Sequence, residues 1–308
     1  MGQTGGVAAR DVTGREPRED GTRAEGRATP ATVLAPAKLT VSLRIVGVRP
    51  DGFHLIEAEM VTVDLFDELS FEAGSSLRVL DEVVGGLGTG DVDAGPGNLV
   101  CRALRAAGTT AAVTLRKRIP TRAGLGGGSA DAAAVLRWAG AVDPELAVRL
   151  GADVPFCVIG GRAAVSGIGE VVRPLPPRPA AYVLLVPPIG VETAACYRAW
   201  DELGAAPRTA AHDTSPAGPV NDLEPAALAV LPEMGAWRDA LAGATNRRPM
   251  LAGSGSTWFV EGTPEELGLQ GRSWLEVGGR RAPLVPVRTL GSEGAGRADA
   301  SATSAGTP

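Results

Sequence analysis

"IPTRAGLGGGSADAAAVL", residues 119–136, places Gly124, Gly126, Gly127 and Gly128 between two recognisable elements. Ahead of it "AAVTLRKRIP" alternates as a strand does, and behind it the alanine-rich run favours helix. The stretch therefore reads as a strand, a bare loop and a helix start. Glycine admits left-handed backbone and carries no Cβ to hold off a ligand. The first N–H groups of the following helix, with its dipole, attract an anion. A phosphate chain fits such a loop, and so does a plain turn or a close-packed helix start. Two common phosphate patterns fail here. A G-x-G-x-x-G run from Gly124 or Gly126 meets Ser129 or Asp131 where it needs glycine, and no Walker lysine occurs from Thr121 to Leu136. Ser129 sits where a hydroxyl either caps the helix or faces a phosphate-bound Mg²⁺.

Outward from this loop, bulk properties narrow the chemistry. The 308 residues carry 30 Lys and Arg against 35 Asp and Glu, and this acidic balance argues against a nucleic-acid-coating protein. Cys101, Cys157 and Cys196 are too few and too scattered for a disulfide framework or a zinc site, so a cytoplasmic location is expected. With His54 and His212 alone, there is no H-E-x-x-H pair. No apolar run is long enough to span a bilayer, and no signal peptide is evident. Small-molecule chemistry remains.

Residues 1–30 and 291–308 offer almost no large apolar side chain and read as disordered tails. Between them, "KLTVSLRIV" alternates as one half-buried strand, with Leu39, Val41, Leu43 and Ile45 on one face and Lys38, Thr40, Ser42 and Arg44 on the other. "RPDGFH" is a turn, and "AEMVTVDLFDELSF" a further strand. Helices are expected from Asn98 to Gly108, from Asp143 to Gly151, over "TAACYRAWDELG", and through "EPAALAVLPEMGAWRDAL" despite Pro232. "AYVLLVPP" suits a central strand, and "GSGSTWFVEG" a glycine turn into another. The proline-rich 171–181 stretch is the best boundary, giving an N-terminal domain of residues 31–175 and a C-terminal domain of 176–290. Interleaved strands and helices on both sides predict an α+β protein of two domains.

"PTRAGLGGGSADAAA" resembles the central motif of the GHMP kinases, small-molecule kinases whose glycine loop cradles ATP. "APAKLTVSL" from Ala35 resembles their first motif and "LAGSGSTWF" from Leu251 their third. "RPDGFHLIEAEM", "GADVPFC" and "NDLEPAAL" extend the similarity, in order, from about Leu34 to Val260, toward the branch whose acceptor is a cytidylyl sugar alcohol.

The resemblance implies an active site in the cleft between the two domains. It implies that Lys38 and Asp153 activate the accepting hydroxyl, a reasonable pair, since phosphoryl transfer needs a proton acceptor and a charge on the phosphoryl oxygens. It assigns ATP to Pro120, Thr121, Arg122, Ala123, Gly124, Leu125, Gly126, Gly127, Gly128, Ser129 and Ala130, with Gly253, Ser254 and Gly255 closing on the site. Mg²⁺ would accompany ATP at Ser129. His54 would read the cytosine edge, Phe53 and Tyr197 would stack on the base, and Thr40 stands near the reacting end where the family usually has asparagine. Phe53 replaces a usual tyrosine. A closing helix is implied after Val260, where glycines and prolines stand instead. Other GHMP kinases acting on homoserine or mevalonate, and a non-catalytic nucleotide-binding relative, are competing readings. Monomer and homodimer both fit the sequence.

Overall fold

The computed structural model describes residues 30–86, 92–207 and 220–292. The two expected tails lie almost wholly outside these residues. The chain order is β1 (Ala31–Val48), β2 (His54–Glu72), β3 (Ser76–Asp81), α1 (Leu99–Ala106), β4 (Ala112–Lys117), α2 (Gly127–Trp138), α3 (Pro144–Leu150) and α4 (Val154–Ile159). Then come β5 (Arg162–Gly167), β6 (Val171–Pro174), β7 (Ala181–Leu185), α5 (Thr193–Glu202), α6 (Glu224–Val230), α7 (Met234–Thr245), β8 (Met250–Leu251), β9 (Trp258–Glu261), β10 (Trp274–Val277) and β11 (Arg280–Arg288).

The strands before the proline-rich connection form one six-stranded sheet in the order β3-β4-β2-β5-β6, with β1 also paired to the long β2. The parallel β3–β4 pair is joined through α1, as parallel neighbours require. The strands after the connection form a second sheet, β10-β11-β7-β9-β8, antiparallel throughout.

Local chemistry explains the helix boundaries. The Asn98 carboxamide accepts the Val100 N–H, and the Asp143 carboxylate accepts from Glu145 and Leu146 ahead of Pro144. The single helix expected over residues 224–241 is instead two, α6 and α7, broken at Leu231–Glu233. Pro232 has no N–H to donate and clashes with the preceding turn. Among the described residues after Val260 the closing helix is also absent. Residues 274–288 form the β10–β11 hairpin, turning through Gly278 (φ 57°) and Gly279 (φ 76°), both left-handed positions that suit glycine.

β1 corrects the expectation of a single half-buried face. Its pairing with β2 shifts between Pro36 and Lys38 and again between Thr40 and Ser42. At each irregularity the strand exchanges faces. Ala35, Leu43 and Ile45 pack in the core under α1 and α2, whereas Ala37, Leu39 and Val41 pack in a second core between the two sheets. That second core also takes Tyr182, Leu184, Phe259 and Val287 from the later sheet, and Ile119, Ala123 and Leu125 from the segment around the glycine loop. Lys38 and Thr40, on the other side, are buried yet border a cleft.

Candidate active site

The glycine loop is fixed at two points. The Lys38 backbone N–H donates to the Leu125 carbonyl (3.0 Å), and the Thr257 N–H donates to the Ala123 carbonyl (3.2 Å). Ala123 and Leu125 anchor it in the inter-sheet core, so the intervening backbone turns toward the cleft. Most of its glycines are demanded by protein neighbours. A Cβ on Gly124 would lie 1.9 Å from the Ala252 carbonyl oxygen, one on Gly126 2.7 Å from the Lys38 stem, and one on Gly127 2.7 Å from the Lys117 ammonium. Bare backbone thus lets three motifs meet, in addition to leaving room for a ligand.

Helix α2 begins at Gly127, with left-handed Gly126 as its N-cap and no side chain capping it. Ser129 is therefore inside the first turn, and the expectation that it caps the helix fails. The residue borders the cleft instead. The first-turn N–H groups have no acceptor within the helix and a dipole behind them.

One cleft of about 1030 Å³ gathers most of the expected site. Lys38, Thr40, Phe53, His54, Asp153 and Tyr197 line it, as do residues 120–129, Gly253 and Ser254. Ala130 and Gly255 do not. Ala130 is buried in the core under α2, and Gly255 faces Met234 and Leu251, so both support the cleft from behind.

At the cleft floor the Lys38 ammonium lies 3.4 Å from an Asp153 carboxylate oxygen and donates to the Thr40 hydroxyl at 3.0 Å. Thr40 thus holds Lys38 in place. Asp153 occupies the N-cap position of α4 but makes no capping hydrogen bond, and about a third of its side chain is exposed to the cleft. Its carboxylate is available to a ligand. Next to it, burial pushes the Cys157 thiol up to about 12, leaving a neutral packing group.

Asn221 ties the third motif to this floor, a role the sequence reading did not assign. Its amide donates to the carbonyls of Leu251 (2.8 Å) and Gly253 (2.7 Å), while its side-chain oxygen accepts the Leu223 N–H. Asp222 accepts the Ile45 N–H of β1 (3.0 Å), and the Leu43 N–H donates to Val220. The "NDLEPAAL" motif is therefore a clamp between β1 and the Gly253 loop.

At the far end, His54 Nε2 meets an Asp201 carboxylate oxygen at 2.8 Å. The imidazole lies against Tyr197, with ring centroids 4.8 Å apart, and meets the edge of Trp200 at 5.3 Å. In this arrangement Tyr197 packs against His54 itself, the two rings tilted by 33°. Burial raises the Tyr197 phenol, which stays neutral. Phe53 is 56% exposed, a bare ring at the cleft mouth.

A buried ionic cluster beneath the loop also went unread in the sequence. Lys117 pairs with Asp67 and, at 3.0 Å, with Asp131 of α2, all three nearly solvent-free. Asp67 also accepts the N–H groups of Arg118 (2.6 Å) and Ile119 (2.8 Å), setting the chain's entry into the loop. Burial would lower the Lys117 pKa, but the Asp131 and Asp67 carboxylates outweigh it and raise it. Burial raises Asp131 more than Lys117 lowers it, and one Asp131 oxygen has no hydrogen-bond partner. Sequence spacing held no signal for this cluster, because Asp67 lies on a distant strand.

The family pattern described as "GHMP kinases N terminal domain" matches residues 98–161. The chain is 38% identical over 236 residues to 4-diphosphocytidyl-2-C-methyl-D-erythritol kinase of Paracoccus denitrificans, covering 73% of this chain and 84% of that one. It is 39% identical over 256 residues to the enzyme of the same name from Pelotomaculum thermopropionicum, covering 74% and 88%. The chain belongs to the 4-diphosphocytidyl-2-C-methyl-D-erythritol kinase family of GHMP kinases. A crystal structure of 4-(cytidine 5'-diphospho)-2C-methyl-D-erythritol kinase superposes with a TM-score of 0.63 at 32% identity, covering 85% of this chain and all of that one. Like its relatives, this member of the family is a small-molecule kinase using ATP. Among the described residues no helix is long and apolar enough to cross a membrane.

Proposed function

We propose that this kinase transfers the γ-phosphoryl group of ATP to the 2-hydroxyl of 4-diphosphocytidyl-2-C-methyl-D-erythritol, an isoprenoid precursor. The observation that carries the reading is the Lys38–Asp153 pair, held between a glycine loop and the His54–Phe53–Tyr197 end of one cleft. In this reading the backbone of residues 120–129 receives the ATP phosphates, and Gly253 and Ser254 support them from the third motif. The Asp153 carboxylate takes the proton of the acceptor hydroxyl as its oxygen attacks the γ-phosphorus, and ADP departs. Lys38 offsets the charge that gathers on the phosphoryl oxygens. Phe53 offers a face to the cytosine, and His54, oriented by Asp201, presents its other ring nitrogen to the base edge. Thr40 serves the site by seating Lys38.

Mg²⁺ belongs to the same reading. The described residues contain no group of three His, Cys, Asp or Glu side chains able to hold a metal. The Ser129 hydroxyl, ATP phosphates and water suit an ion that binds mainly through its nucleotide. When bound it supplies charge neutralisation at the phosphates. Residues 31–175 and 176–290 are read as the two halves flanking the site, in a cytoplasmic enzyme.

The test is ADP release from purified protein given ATP, Mg²⁺ and the cytidylyl substrate, with homoserine and mevalonate as alternative acceptors. Release dependent on the cytidylyl compound is expected. Release indifferent to the acceptor, or specific to another one, would defeat the assignment.

A further inference from the structure

A second cleft, of about 710 Å³, lies across β1 from the first. The strand irregularity at Thr40–Ser42 sends Lys38, Thr40 and Leu43 to the candidate active site and Val41, Ser42 and Arg44 to this other cavity. Its wall carries Arg44, Arg162, Arg178, Arg247 and Arg248 against two acids, Glu59 and Glu261. Both acids are committed, Glu59 to Arg162 at 2.6 Å and Glu261 to Arg178. Arg247 and Arg248 follow the left-handed cap Asn246 of α7 and are exposed; among the described residues neither meets a carboxylate. Two adjacent guanidinium groups that meet no carboxylate make a local positive patch in a chain whose net charge is -5, and both can turn toward one anion.

Apart from Ser42, the remaining lining is mainly aliphatic and aromatic. Val41, Met250 and Val260 contribute aliphatic surface, and Tyr182 and Phe259 meet edge to face with centroids 5.7 Å apart. A concave apolar wall with convergent cationic groups is the usual form of a small-ligand site. Guanidinium forks match phosphate oxygens better than any other side chain.

We propose that this cleft is a second ligand site, separate from the catalytic one, for an organic phosphate or diphosphate carrying a small apolar body. The guanidinium groups of Arg247 and Arg248 hold the anionic head, and the wall around Phe259 and Met250 takes the apolar part.

Calorimetric titration with inorganic pyrophosphate tests the head site, with the glycine loop first saturated by Mg²⁺ and a non-hydrolysable ATP analogue. One further binding event is expected, weakened at least tenfold by the double substitution Arg247→Ser, Arg248→Ser and weakened by added salt. Both residues are exposed, and an unchanged melting temperature will show that the variant folds. Arg248→Ser alone should give an intermediate loss. Absence of the further binding, or equal affinity in the double variant, overturns the proposal. Butyl diphosphate then tests the apolar wall. It should bind the wild type at least several-fold more tightly than pyrophosphate, and equal affinity would refute the class of ligand.

Discussion

Lys38 and Lys117 press on adjacent glycines of one loop, Gly126 and Gly127, yet they are held in opposite ways. Lys38 has a hydroxyl and a single carboxylate, the latter 3.4 Å away and partly open to the cleft. Lys117 is enclosed by two carboxylates that solvent does not reach. The first pair leaves interaction capacity for a ligand; the second spends nearly all of its own inside the protein. Two lysines of similar proximity to the loop therefore differ in what they leave open to a ligand, because partner number and burial differ.

Neutralising each pair separately should expose that difference. Asp153→Asn is expected to lower kcat by about a thousandfold or more, a barrier increase of roughly 4 kcal/mol, with the melting temperature unchanged. Steady-state kinetics and a thermal melt on the same preparation decide it, and a variant that merely melts earlier would dissolve the contrast. Lys117→Met should do the reverse. Removing one partner of a buried pair costs about 3 to 5 kcal/mol, so denaturant unfolding should show the loss directly. At the acceptor end, His54→Ala should raise KM for the cytidylyl substrate about tenfold, near 1.4 kcal/mol, while KM for ATP holds steady.

A further effect concerns pH. Burial raises Asp131, so the folded chain keeps a proton that the unfolded chain has already released. The unfolded state then binds fewer protons, and stability contributed by this group falls as pH rises from the ordinary carboxylate range toward neutrality. Melting temperatures between pH 5 and 8 should decline less steeply in Asp131→Asn than in the wild type. An identical pH slope would show that Asp131 is ionised in the folded state.

The sequence made one side of this comparison visible and hid the other. Lys38 and Asp153 stood inside motifs, and the loop was flanked by a clean strand and an alanine-rich helix. Asp67 looked like an ordinary polar residue in an alternating strand, because nothing local shows that its carboxylate accepts from the chain at Arg118 and Ile119. The β1 irregularities were equally hidden, since a bulge is a property of two paired strands. The β10–β11 hairpin was legible in principle. Gly278–Gly279 sits between "SWLEV" and "RRAPLVPVR", a recognised turn signal that the expectation of a helix displaced.

The inter-sheet core also has a temporal consequence. It is sealed at one edge by Val287, by the Val63–Thr289 bridge, and by the Leu290 N–H donating to Thr62 at 2.8 Å. Those partners are separated by almost the whole folded chain. During synthesis most of this core, including Tyr182, Leu184 and Phe259, is made well before residues 287–290, so only its last edge waits for the end of the folded chain. The inter-sheet core therefore closes through a contact between the second strand and the far end of the folded chain, and that contact forms only once residue 290 has been made.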